Sequence, residues 1–101
     1  MKDYTPIISK IDTTNLVTFD NLKDCVKYLD INCTDNIESS KVIIGSMVAK
    51  DITNIREQMI EGDELVYIIS PQWTWDCLAG SAGYGILRNN EIIFTNMLIM
   101  S

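Results

Sequence analysis

Residues 62–100 read GDELVYIISPQWTWDCLAGSAGYGILRNNEIIFTNMLIM, and this stretch decides the fold. It holds both tryptophans, four of the five glycines and the densest strand signals in the chain. Leu65-Val66-Tyr67-Ile68-Ile69 is apolar at every position, as a central strand buried on both faces would be. Ser70-Pro71 reads as a cap followed by proline at a first helical position, so a short helix is expected over 71–78, closed by Gly80. Two strands should follow at 83–88 and 91–99, joined at Asn89-Asn90, because asparagine tolerates the positive φ of tight hairpin turns. The expected class is α+β. An antiparallel sheet is built on a C-terminal meander (64–69, 83–88, 91–99), with two or three helices (21–30, 52–61 and 71–78) on one face.

Upstream, Asp20 is placed to cap a helix over 21–30. Leu22, Cys25, Val26 and Leu29 follow at i, i+3, i+4 and i+7, one apolar face. Residues 31–40 read as a loop that a helical turn could break. Residues 41–49 satisfy two patterns: Val42, Ile43 and Ile44 are β-branched and favour a strand, while Val42, Ile43 and Met47 would share a helix face. The strand is the preferred reading. Asp51 should cap a helix carrying Ile52, Ile55, Met59 and Ile60, ended by Glu61-Gly62 with the glycine left-handed. Two β-prone pieces, 5–9 and 16–19, precede all of this, and the pattern leaves open whether they join the sheet.

With 101 residues, the chain fits one domain, 1–101, enough for one core. No apolar run approaches the ~20 residues that span a bilayer, so no membrane association is expected. The start, MKDYTPIISK, lacks a basic-then-apolar leader, which points to the cytoplasm. The net charge is −6. Residues 51–101 contribute seven acids against Arg56 and Arg88 alone. Such a surface repels phosphate backbones, so nucleic acid is not an expected partner, whereas a basic protein would be attracted. Solubility alone would explain the same excess.

Three cysteines, Cys25, Cys33 and Cys77, form no C-x-x-C, which disfavours a disulfide framework or a zinc site. Cys25 and Cys77 sit among apolar neighbours and read as inert core thiols. Histidine is absent, which removes the usual general base and the commonest metal ligand. No cofactor and no metal is expected.

Gly62-Asp63-Glu64-Leu65, Ser70-Pro71, Trp75, Leu78-Ala79-Gly80, Gly83-Tyr84 and Leu87-Arg88 together resemble a pattern in small uncharacterised bacterial proteins. Those read G-D-E-L-W, then S-P-P-x-x-W-x-x-L-x-G-R-x-G-Y, then L-V-R-D-G. The likeness spans about 62–93. This chain departs at Val66, Ser81 and Asn89-Asn90, where the pattern has tryptophan, arginine and Asp-Gly. The group has no established activity; in general look it is similar to orphan and immunity-type proteins that bacteria carry beside toxin or phage genes.

Three features could carry function. Trp73 and Trp75 point in different directions on a helical turn; Trp75 should plug the core, leaving Trp73 near the surface as a partner anchor or a partly buried structural ring. Asp76 adjoins them. The glycines of 80–85 precede a strand and no lysine follows, so they read as helix closure at Gly80 and a turn at Gly83 rather than a phosphate loop. Glu57, Glu61, Asp63 and Glu64 form an acidic cluster that could meet basic side chains of a partner, or be only a solvated face; Asp63 could also bond amides at the helix–strand junction.

The expected function is a non-enzymatic protein-binding module, an immunity protein or inhibitor of a basic bacterial toxin. The alternatives are a small ligand-binding domain or an enzyme built on carboxylates, Tyr84 and Cys77, and a homo-oligomer joined through the apolar last strand.

Overall fold

The computed structural model describes residues 3–32 and 35–100. The elements run β1 (Ile7–Lys10), α1 (Leu22–Asn32), α2 (Asn36–Gln58), β2 (Glu64–Ile69), α3 (Gln72–Asp76), β3 (Ser81–Arg88) and β4 (Glu91–Met100). The fold is α+β, with three helices packed against a four-stranded antiparallel sheet of order β1-β2-β3-β4. Its thin dimension is 17 Å, room for a single helical layer on the sheet.

The meander follows the reading of 62–100. Asn89 and Asn90 both take positive φ, 52° and 65°, and turn the chain between β3 and β4. β1 answers the open question about the N-terminus, since Ile7–Lys10 pairs with β2 from Ile69 back to Val66. The second β-prone piece, 16–19, forms no strand.

The largest correction concerns α2. Residues 31–32 of the loop assigned to 31–40 belong to α1 and residues 36–40 to α2, and α2 runs unbroken through the strand assigned to 41–49 and through Asp51. The reason is a stripe longer than either local pattern: Ile37, Ile44, Val48, Ile52, Ile55 and Met59 recur at helical spacing and pack on the core. β-Branched Val42 and Ile43 sit on its half-buried flank. Asp35 supplies the N-cap, accepting from the Glu38 amide at 2.7 Å. Asp51 instead accepts from Asn54 Nδ2 within the helix. α2 ends at Gln58, so Gly62, at φ +91°, shapes the turn into β2 rather than closing the helix.

Smaller corrections follow. Asn21, not Asp20, caps α1, its Oδ1 accepting from the Asp24 amide. The predicted apolar face of α1 divides: Cys25 is buried, whereas Leu22 and Val26 face solvent. α3 is shorter than 71–78, with Pro71 at its N-cap, and Leu78 rather than Gly80 takes the left-handed position after it.

The core lies between α2 and the sheet. Leu65 and Ile69 of β2 and Ala82, Tyr84 and Ile86 of β3 face Ile44, Val48 and Ile55 of α2. Trp75 closes one end, its indole lying on Gly80: a Cβ there would run into Trp75 Cδ2 and sit 2.8 Å from Cε2. Gly80 is therefore a steric requirement, not a helix terminator.

Val66 and Ile68 point to the opposite face, yet they are only 2% and 9% exposed. Gly83 and Gly85, their neighbours on β3, leave the space. Ile68 lays its Cδ1 across Gly85, and the β4 backbone crosses Gly83 so closely that a Cβ would meet Asn96 O. Register shifts at Ala82/Gly83 and Ile86/Leu87 bend β4 at these points. The turn expected at Gly83 is in fact a close approach of two backbones inside a strand pair.

Candidate functional site

The six predicted contact residues do not form one site. Glu57 and Glu61 are exposed, but α2 ends between them, so they do not share a helix face. Asp63 is withdrawn from the surface. Its side chain is fully buried and takes a bidentate pair from Arg88, Nε to Oδ1 and Nη2 to Oδ2, both at 2.8 Å. Oδ2 also accepts the Ile60 amide at 3.0 Å, the junction role that its position suggested. Glu64 faces Lys10 across the strand pair at 3.6 Å, an exposed contact worth little. Trp73 packs edge-on against Tyr4, and its Nε1 donates to the Asp3 carbonyl at 2.8 Å, so the ring holds the N-terminal segment. Asp76 is exposed and accepts from Gln72 Nε2.

The Arg88 guanidinium, donating to Asp63, holds that carboxyl at about 2, below the ordinary 3.8, with the Ile60 amide adding to the effect. In the unfolded chain the group binds its proton more readily, so stability rises with pH across this window. The contribution is complete above pH 3.8 and disappears as pH falls through about 2. Asp63→Asn is therefore expected to flatten the acid limb of the stability curve between those values. Thermal melts of both proteins across that range test this, and parallel limbs would show that the pair is not a titrating contact.

The thiols differ from expectation. Cys25 is buried as read, but Cys77 is exposed at the end of α3, which excludes an inert core role for it. Cys33 lies outside the described residues. Tyr84, named with Cys77 as possible machinery, accepts from Asn96 Nδ2 at 3.3 Å on the helix-facing side of the sheet. Nothing brings it to Cys77. Among the described residues no three acidic or cysteine side chains converge as a metal site would require. No helix among them is long and apolar enough to cross a membrane.

Two other features are better candidates, of which the residue patterns pointed to the first only as an apolar last strand. The first is the outer edge of β4, the last strand of the sheet, ten residues long. From Ile92 to Met100 it carries no charge and no proline, and Ile93, Phe94, Met97 and Met100 are exposed. The opposite edge, β1, has four residues, with Pro6 before it and Lys10 at its end. One edge is blunted in the usual ways and the other only by its bulges. The register also brings Glu64 and Glu91 to the hairpin end of the sheet, since Glu64 pairs with Leu87 and Glu91 with Arg88, and Glu61 lies in the turn that enters β2 there.

The second is a cleft of about 350 Å³ between residues 12–19, the first turns of α2 and Tyr67.

No family model, no curated protein and no solved structure matches this chain.

Proposed function

We propose that the chain is a non-enzymatic protein-binding module, of the kind that serves as an immunity protein or toxin inhibitor, and that its partner is a basic protein. The observation that supports this most is the open β4 edge: a long strand, uncharged from Ile92 onward, whose outer N–H and C=O groups have no neighbouring strand among the described residues. A strand of the partner adds there, held by backbone hydrogen bonds and by Ile93 and Met97. Glu61, Glu64 and Glu91 at one end of the sheet, within a chain of net charge −6, favour basic side chains on the partner and speed its approach. Asp63 takes no part, being committed to Arg88.

The test uses the tagged chain to recover a partner from its host, then binding kinetics with the purified pair. The association rate should fall as salt rises, and Met97→Lys should weaken the complex by about tenfold or more. A partner of acidic character, or affinity indifferent to Met97→Lys, would sink the reading. A chain that elutes at twice 11.4 kDa, and reverts to monomer in Met97→Lys, would assign the edge to a second copy instead.

A further inference from the structure

We infer that the cleft beside Tyr67 is a binding site for a small amphipathic zwitterion, an α-amino acid with an apolar side chain. This is independent of the β4 reading. The volume, about 350 Å³, lies in the range of small-ligand sites. Leu16, Val17, Phe19 and Val42 supply an apolar wall. The loop that carries the first three is held against α2 by Ser46, whose Oγ accepts the Phe19 amide at 3.4 Å.

The polar groups are of two kinds. Asp12 is committed to its own turn, accepting from Thr14 and from Asn15 Nδ2. Glu38 and Lys41 are not. They face each other across one helical turn at 3.8 Å, a partly exposed pair that holds weakly. Lys41 Nζ also stands 6.0 Å from the centre of the Tyr67 ring. The Tyr67 hydroxyl has no hydrogen-bond partner among the described residues although the side chain is only partly exposed. A ligand carboxylate can take Lys41 and the Tyr67 O–H, while its ammonium takes Glu38. The loose internal pair is then exchanged for two external ones, and neither protein charge loses a partner.

Gly45 keeps the room open. In the middle of a helix glycine is unfavourable relative to alanine, so it needs a reason. A Cβ at this position would stand 3.3 Å from Tyr67 Oη and 3.7 Å from Leu16 Cδ2, crowding the tyrosine hydroxyl. Ser9, the cross-strand neighbour of Tyr67, carries a second hydroxyl that is buried and unbonded, so this part of the sheet is under-satisfied as it stands.

The experiment titrates the isotope-labelled chain with L-leucine and follows its backbone amide resonances. Amides of Leu16, Gly45, Ser46 and Tyr67 should shift saturably. Isocaproate, which lacks the ammonium, and isoamylamine, which lacks the carboxylate, should each bind about tenfold more weakly or worse. Tyr67→Phe should lose a similar factor while its unfolding curve stays unchanged, since the hydroxyl makes no internal bond. No saturable shift at millimolar leucine would overturn the site. Equal binding of either single-charge probe, or of Tyr67→Phe, would overturn the ligand class.

Discussion

Replacing Gly83 by alanine is expected to lower stability by about 3 kcal/mol, at the upper end of what overpacking costs. The added methyl meets the Asn96 carbonyl oxygen and would lie 2.7 Å from Met97 Cα. Both are backbone atoms, so no rotamer change relieves the clash. Relief requires β4 to lift away from β3, opening the pair that closes the sheet. For a chain of this size the melting temperature should fall on the order of 15 °C. Gly62→Ala is the control: its Cβ meets nothing within 4 Å, and only the φ of +91° resists, for about 1 kcal/mol. Denaturant unfolding of both variants decides the matter. If Gly83→Ala costs no more than Gly62→Ala, the two backbones do not approach as described.

Truncating Ile69 to alanine should cost about 3–4 kcal/mol, the range for removing a large aliphatic group from a closed core. Ile69 is fully buried, with Ile7 beside it on β1 and the small Ala82 on β3, beneath the helical layer. Ala82 cannot swell to fill the space, and the strands on both sides hold the walls apart. Ile8→Ala, one place along β1 on the open face, where Ile8 is 46% exposed, should cost less than about 1 kcal/mol. Equal losses at the two positions would mean that the sheet buries both faces alike, contrary to the single helical layer.

The meander was legible because its signals are local. A five-residue apolar run, a Ser-Pro junction and two consecutive asparagines each act through their own backbone. Trp75 was legible for a related reason, since a large ring on a short helix beside a sheet has few places to go. What misled was competition between overlapping patterns. Val42, Ile43 and Ile44 carry strong strand preference, and Asp51 looks like a cap, yet the stripe from Ile37 to Met59 spans both and prevails through burial. Gly80 and Gly83 looked like chain reversals because glycine most often signals a backbone angle. Here each is demanded by a neighbour, the Trp75 ring and the β4 backbone, which no local window contains.

The candidate sites were harder to read than the fold. Asp63 stood in an acidic run and resembled surface, but its partner Arg88 is reached only through the β2–β3 register. The cleft draws on residues 10–19, 28, 38–46 and 67, four separate parts of the chain, and none carries a recognisable motif. The β4 edge was half visible. Its composition marked a sticky strand, but only the strand order makes it terminal.

The pairing of Ile7–Lys10 with β2 has a consequence for how the molecule assembles. The three later strands join through short connections, whereas this one must bring together chain ends separated by both long helices. Closure entropy of that kind is repaid only once the intervening segments are already compact. The first strand is therefore the last to arrive and the first to open, and its amides should exchange with solvent before those of the three strands that follow.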